Sequence, residues 1–197
     1  MVTHGYIVLD ASFLIGDNLS SLKPKNFLET CNHLYDVNYS GLRMLYCTYK
    51  ELAGLLSIPS RDLSSDYHIK EAMKKLINIS RLPESKKKDN SYFNLFRQRI
   101  IQINNRVPSN KCLSAADIDY GAYTLSKLRK RDVIAATQDG QLIEIMLEIE
   151  KTARPVLAEH HGEKFLYIAR TMSDVENYLA IIRSQRETRN SLTSFVV

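Results

Sequence analysis

The chain has 197 residues, 44% of them hydrophobic and 25% charged, which is long enough to bury a core in one domain without disulfide or metal staples. Its three cysteines are widely spaced, which argues against a disulfide framework and a structural zinc site. The net charge of +5 permits a polyanionic partner without requiring one. No segment has the length and hydropathy of a membrane span or a signal peptide, so we expect a cytoplasmic protein without membrane association.

Strand and helix patterns alternate along most of the chain. Continuous apolar runs predict four buried strands, at residues 6–10, 42–48, 132–137 and 164–169. Apolar residues at helical spacing predict helices over 26–37, 49–57, 66–80, 92–103, 114–130, 141–150 and 173–187. The polar stretch 83–91 predicts a loop. Apolar strands that alternate with helices indicate an α/β fold with a parallel sheet covered on both faces.

Four acidic residues are predicted to meet at one edge of this sheet. Asp10 ends the first strand, Glu51 begins the helix after the second, and Asp139 follows the third strand by two residues. Asp117 begins a helix that must run antiparallel to the third strand, so the helix start returns to the edge where that strand ends. Ligands of open α/β sheets bind at this carboxyl edge. The sequence therefore predicts a carboxylate cluster in the ligand crevice.

Each acid also has a purely structural interpretation. The stretches Thr48–Glu51 and Ser114–Asp117 match capping boxes, and Asp139 matches a helix N-cap. Asp10 fits this interpretation least, because a carboxylate at the end of a buried strand costs several kcal/mol unless it is paired or binds a cation. The four acids together therefore favour a cation site.

Magnesium or manganese is the cation that such a cluster would hold. Clustered carboxylates repel one another, and a hard divalent cation removes that repulsion. Mg²⁺ and Mn²⁺ prefer oxygen ligands, keep several waters and leave positions open for phosphate oxygens. Such an ion generates a hydroxide nucleophile and stabilises charge that builds up on a phosphate during hydrolysis.

The acidic stretches resemble, in order, those of the PIN-domain family of metal-dependent nucleases. The matching stretches are IVLDASFLI with Asp10 and Ser12, TYKELAGLL with Glu51, LSAADIDYGAYTL with Asp117, and VIAATQDGQL with Thr137 and Asp139. The resemblance extends from residue 6 to about residue 170, and its last motif is the most specific. It implies a three-layer α/β/α sandwich with a central, mainly parallel sheet. It also implies an endoribonuclease that hydrolyses phosphodiester bonds of single-stranded or structured RNA.

The resemblance assigns a role to each matching residue. Asp10, Asp117 and Asp139 would hold the metal, directly or through water, and Glu51 would complete the catalytic acidic cluster. The supporting residues would be Ser12, which orients Asp10 or a metal-bound water, and Thr137, which supports the loop carrying Asp139.

Two departures from the family pattern affect these assignments. Many members carry another acid two residues after the last aspartate, where this chain has Gln141. Asp119 is a candidate substitute, although residues two apart on a helix point in different directions. The missing acid weakens the expectation of a second metal ion more than that of the first. Residues 57–111 also form a long segment compared with compact members. We therefore predict one domain over residues 1–197, with a helical and basic insertion at about 57–111 and a C-terminal helix and tail at about 173–197.

The predicted insertion accounts for the whole excess of positive charge, with eight basic and two acidic residues between positions 81 and 111. A lysine run in a polar loop is ordinarily solvated, but here it is also suited to contact phosphates. Phe93 and Phe96, near the arginines, either stack on bases or belong to the core. The candidate substrate-binding residues are Lys86, Lys87, Lys88, Arg97 and Arg99.

Two other functions are compatible with the sequence. One is a catalytically weak PIN-like protein that binds RNA or acts as a scaffold in RNA processing. The other is a phosphatase with Asp10 as nucleophile, but haloacid-type phosphatases need a second aspartate where this chain has Ser12. The expected partner is RNA. The resemblance also allows a protein inhibitor that blocks the acidic edge, an RNA-processing complex, and a homodimer.

Overall fold

A four-stranded, all-parallel sheet forms the centre of this α/β protein. The computed structural model describes residues 5–16, 22–57, 63–84, 91–108 and 112–193. Its strands are β1 (Tyr6–Leu9), β2 (Leu42–Met44), β3 (Val133–Ala136) and β4 (Leu166–Ala169). They are ordered β2-β1-β3-β4. In the central strand, Ile7 is in register with Leu42 on one side and Ile134 on the other. The predicted parallel sheet is confirmed.

The described ranges contain eight α-helices, of which seven lie between strands and the eighth follows β4. They are α1 (Ala11–Ile15), α2 (Pro24–Asn38), α3 (Tyr46–Leu56), α4 (Tyr67–Glu84), α5 (Ser91–Asn104), α6 (Ala115–Lys127), α7 (Gly140–His161) and α8 (Met172–Thr193). In this same part of the chain, none of these helices combines the length and apolar character needed to cross a membrane.

Helices cover both faces of the sheet. Successive strand residues point to opposite faces, so Ile7 and Leu9 pack into one hydrophobic core and Val8 into another. The first core is closed mainly by α2, α4 and α8, and the second by α5, α6 and α7. This arrangement is compatible with a three-layer α/β/α sandwich.

The predicted strand at 42–48 is wrong beyond Met44. Leu45 is the N-cap of α3, and the helix begins at Tyr46. Thr48, Leu52 and Leu56 are all buried, at the i, i+4, i+8 spacing of a helix face. A short apolar run does not distinguish a buried strand from the start of a buried helix. The short helix α1, directly after Asp10, is another element that the patterns do not predict.

Three helices run several residues beyond their predicted ends, one of them α8, which continues past residue 187 to Thr193. Helix α7 continues from the predicted range past Pro155 to His161. It stops at Gly162, whose positive φ of 72° favours glycine and whose N–H donates to Ala158 O. Helix α4 continues into the predicted loop as far as Glu84. The rest of that loop up to Ser91, with Lys86, Lys87 and Lys88, lies outside the described residues.

The segment predicted as an insertion contributes to both cores. Ile69 and Leu76 of α4 are buried on one side of the sheet, and Phe93, Phe96 and Ile100 of α5 on the other. Because Phe93 and Phe96 are core residues, their rings are not available to stack on bases.

Candidate metal centre

Asp10 is a buried carboxylate held at the carboxyl end of β1. Only 4% of the residue is exposed. Its backbone N–H donates to Ala136 O at 2.9 Å, which fixes it beside the end of β3. Asp10 precedes α1, but its side chain makes no capping hydrogen bond to that helix. The carboxylate is therefore not explained as a helix cap.

Two hydroxyl groups orient Asp10 and connect it to the loop that carries Asp139. Ser12 Oγ and Thr137 Oγ1 donate to Asp10 Oδ2 at 2.5 and 2.8 Å. Each hydroxyl also accepts a backbone N–H, Ser12 from Gln138 at 2.9 Å and Thr137 from Asp139 at 3.2 Å. Both hydroxyls can therefore stabilise negative charge on the same oxygen of Asp10.

Asp117 and Asp139 cap helices, as their structural interpretation predicts. Ser114 Oγ accepts from Asp117 N–H at 3.2 Å, and Asp117 Oδ2 accepts from Ser114 N–H at 2.9 Å. Asp139 Oδ1 accepts from Leu142 N–H at 2.9 Å at the start of α7. In each of the two acids, these hydrogen bonds use only one carboxylate oxygen. Because a carboxylate has two oxygens and several lone pairs, capping is compatible with a contact to a cation or its water.

Glu51 is not part of a capping box, so that interpretation is wrong. Helix α3 begins at Tyr46, and Thr48 lies inside it with a buried hydroxyl that has no partner among the described residues. The pKa of Glu51 is raised, first by partial burial and then by the negative charges of the other three acids, Asp117, Asp10 and Asp139. The four carboxylates are therefore close enough to interact electrostatically.

Asp10 experiences opposing effects on its ionisation. Burial raises the pKa of its carboxyl, and the charge of Asp117 acts in the same direction. The hydrogen bonds from Ser12 and Thr137 lower the pKa, but burial dominates. The buried negative charge therefore carries a net cost, which a nearby cation would reduce.

Tyr120 is a neighbour of this site that the sequence patterns do not identify. Its phenol is fully buried and donates to Val8 O at 2.9 Å. Burial, followed by the charge of Asp10, raises the pKa of Tyr120 well above its ordinary value. Its position three residues after Asp117, on the same face of α6, is the sequence signal that points to it.

The donor chemistry of the edge fits a hydrated hard cation rather than a closed protein cage. In the part of the chain that is described, none of the four acids forms an ion pair with a lysine, arginine or histidine. Among the same residues, no three His, Cys, Asp or Glu side chains are placed to hold an ion together. Mg²⁺ characteristically keeps several waters and binds through one or two carboxylates. The carboxylates at this edge match that mode of binding.

The remaining predicted site residues lie in other surroundings. Arg97 Nε donates to Asp119 Oδ1 at 2.7 Å, an ion pair that joins α5 to α6. Asp119 is not among the groups that raise the pKa of Asp10 or Glu51. Arg99 is exposed, with Nη1 3.5 Å from Gln102 Oε1.

Comparisons of the chain with protein-family models, with curated proteins and with solved structures return no match.

Proposed function

We propose that the chain is a PIN-like, Mg²⁺- or Mn²⁺-dependent endoribonuclease that hydrolyses phosphodiester bonds of single-stranded or structured RNA. One observation carries this proposal. Four carboxylates from separate segments interact at the carboxyl edge of a parallel sheet, and none forms an ion pair within the described ranges. Helix capping accounts for Asp117 and Asp139, but not for Asp10 or Glu51.

The cost of this arrangement supports a functional role. A buried carboxylate without a cation destabilises the folded protein, and neighbouring like charges add to that cost. Asp10 is 4% exposed, and its charge interacts with those of Asp117 and Glu51. Replacing this residue with an amide would relieve the cost, so its presence is better explained by a cation than by stability.

Each residue at the edge has a distinct part in the proposed reaction. Asp10, Asp117 and Asp139 would hold the hydrated cation, one or two of them directly and the rest through water, and Glu51 would complete the acidic rim. Ser12 and Thr137 fix the direction of the Asp10 carboxylate through Oδ2. A bound Mg²⁺ or Mn²⁺ would lower the pKa of the attacking water and would stabilise the charge that develops on the phosphate.

The proposed substrate is RNA because a cation at this edge would leave positions open for phosphate oxygens, and because the chain carries a net charge of +5. Arg99 is exposed and remains a candidate for a phosphate contact, together with Lys86, Lys87 and Lys88. A protein inhibitor or RNA-processing complex that covers the acidic edge, and a homodimer, belong to the same proposal.

A catalytically weak PIN-like RNA-binding or scaffold protein is the second candidate. Two observations favour it. No three acidic, histidine or cysteine side chains in the described ranges are placed to hold an ion together. Gln141 also stands where the family pattern has a further acid. This protein would bind RNA in the absence of metal and would not cut it.

Cleavage of a labelled, mixed-sequence single-stranded RNA by the purified protein tests the proposal. Reactions contain Mn²⁺, Mg²⁺ or EDTA, and compare the wild type with Asp139→Asn and Asp174→Asn. Asp174 is a matched control, because it also caps a helix at the carboxyl edge, accepting from Thr171 N–H at 2.8 Å. It is not among the acids that raise the pKa of Glu51.

We expect metal-dependent cutting that Asp139→Asn removes and Asp174→Asn retains. If both variants lost the same amount of cleavage activity, Asp139 would have no role beyond capping its helix. RNA binding that is unchanged by EDTA, without any cutting, would favour the scaffold.

A further inference from the structure

Two exposed arginines, Arg106 and Arg170, lie next to the loop that carries Asp139. The backbone of Arg170 accepts a hydrogen bond from Gln138, the residue before Asp139. Arg106 lines a cavity together with Gly140, the residue after Asp139. The two arginines come from separate segments of the chain and therefore flank the candidate metal centre.

Arg170 is held at the carboxyl edge by the sheet itself. It follows Ala169, the last residue of β4, which is in register with Ala136 at the end of β3. Adjacent strands are about 4.8 Å apart, so Arg170 lies one strand away from the loop that carries Asp139. The Gln138 side chain closes this gap, since its Nε2 donates to Arg170 O at 3.2 Å.

Arg106 reaches the same loop from the helical layer. It follows α5, and its N–H donates to Ile103 O at 3.0 Å. The cavity that it lines with Gly140 has a volume of about 630 Å³, which is large enough to admit a nucleotide. Glu144 and Glu148 also line this cavity, about one and two turns further along α7. Their charges disfavour a phosphate at that end and leave the end beside Gly140 for it.

The described residues do not neutralise either guanidinium group. Neither forms an ion pair with a described acid. The pKa of Asp174 is lowered first by hydrogen bonds from Thr171 and only last by the charge of Arg170. By contrast, Arg97 is engaged by Asp119 at 2.7 Å. Arg106 and Arg170 are therefore available to an outside anion in a way that Arg97 is not.

Exposed arginines beside a carboxylate cluster are suited to hold a phosphate backbone. The acids repel a polyanion, and a cation at the metal centre would offset that repulsion only locally. A guanidinium group binds a phosphate through two parallel N–H donors. Such contacts fix the position of a strand and carry no sequence information.

We propose that Arg106 and Arg170 bind backbone phosphates of an unpaired RNA strand on the two sides of Asp139, with or without a bound metal ion. The two contacts hold the strand across the carboxylate edge, so that the phosphate between them meets the acids. The inference rests on the proposed ribonuclease function and adds to it the residues that position the substrate.

Fluorescence anisotropy with labelled oligouridylate and oligoadenylate decamers, in EDTA, tests the inference without relying on cleavage. Affinities are measured between 50 and 200 mM salt. We expect Arg106→Gln and Arg170→Gln each to weaken binding of both strands by roughly 3- to 10-fold. Each should also reduce the magnitude of the salt dependence, the slope of log K against log salt concentration, by about 0.7, the value for one phosphate contact to a single strand. The double variant should lose about 1.4.

Arg183→Gln is the matched control, because it makes the same substitution at an exposed position of α8. Arg183 Nη2 donates to Val37 O at 3.4 Å. The next residue, Asn38, donates to Gly5 O just before β1, which places Arg183 towards the amino edge. This variant should keep the affinity and the salt slope of the wild type. The melting temperature should be unchanged in all three single variants, since the side chains are exposed.

The outcomes separate this inference from the proposed function. Absence of binding by the wild type, or an unchanged salt slope in either arginine variant, would overturn the inference even if the protein cuts RNA with metal. A loss confined to one of the two sequences would indicate a base contact and would also overturn it. Reduced slopes in both variants of a protein that never cuts RNA would support the two contacts and refute the nuclease.

Discussion

The two edges of the parallel sheet both carry clustered charges, but they balance them differently. At the amino edge the Tyr6 ring lies 5.2 Å from the Arg43 guanidinium and 5.8 Å from that of Arg131. Lys127 lies 4.3 Å from the centre of the Tyr123 ring. At the carboxyl edge four carboxylates gather, and the described residues give them no ion pair.

The difference indicates which charges serve the fold. Cation–π contacts contribute to stability without any outside ligand, so the amino edge is complete as it stands. The four carboxylates at the carboxyl edge have no ion pair among the described residues, and the proposed cation would balance their charge. We therefore expect substitutions at the amino edge to change stability and substitutions at the carboxyl edge to change activity.

The largest expected effect is that of Asp10→Asn on RNA cleavage. Loss of an outer-shell partner of a metal typically costs roughly 10- to 100-fold in activity, and loss of a ligand should exceed that. The free energy of unfolding without metal should stay the same or rise, because the variant removes an uncompensated buried charge. Single-turnover cleavage and urea denaturation of the same preparations measure both. Normal RNA cleavage by Asp10→Asn would contradict the expectation that substitutions at the carboxyl edge change activity.

Ser12→Ala should have the next largest effect. It removes one of the two hydroxyl donors to Asp10 Oδ2 and leaves the other from Thr137. We expect cleavage to fall by roughly 10- to 100-fold, mainly through weaker metal binding. Titration of activity with Mn²⁺ measures this, and high Mn²⁺ should restore part of the rate. A loss that no Mn²⁺ concentration relieves would argue against an orienting role for Ser12.

A rise in pH should lower the stability of the protein, and added metal should raise it. The pKa values of Asp10 and Glu51 are raised in the folded state above their ordinary values of 3.8 and 4.5. These two groups therefore contribute their full stabilisation when the pH is below their ordinary pKa values. That stabilisation is lost as the pH rises through their raised pKa values in the folded state. Mg²⁺ or Mn²⁺ should restore it at neutral pH, by about 2.7 kcal/mol at 100 times the dissociation constant.

Thermal melts at pH 5 and pH 7.5, with metal and with EDTA, measure this effect. The shift in melting temperature on adding metal should be larger at pH 7.5 and absent in Asp10→Asn. An equal shift at both pH values would show that the metal acts elsewhere.

The smallest expected effect is that of Arg131→Gln at the amino edge. The variant removes one of the two cations over the Tyr6 ring and keeps the other, Arg43. The free energy of unfolding should fall by about 0.5–1 kcal/mol. RNA cleavage at a temperature well below the melting transition should be unchanged. A large loss of cleavage would instead assign this edge to substrate binding.

Local patterns predicted much of the fold and of the site. The apolar runs located all four strands, because strands buried on both faces have no polar face to conceal them. The capping residues Asp117 and Asp139 were also predictable, since capping depends on neighbours within one turn. The end of β2 at Met44 was not predictable, because the apolar residues that follow it suit a buried helix as well as a strand.

The sequence by itself determined where the acids stand relative to the strands, and parallel strands then bring their carboxyl ends to one edge. Only the tertiary structure decided which side chains meet there. Ser12 and Thr137, which both bind Asp10, are 125 residues apart, and Arg97 pairs with Asp119 across two helices. The side-chain nitrogen of Gln141 is buried without a hydrogen-bond partner among the described residues, which the sequence also does not predict. Periodicity fixes the face on which a side chain lies, but its partner depends on how distant segments pack.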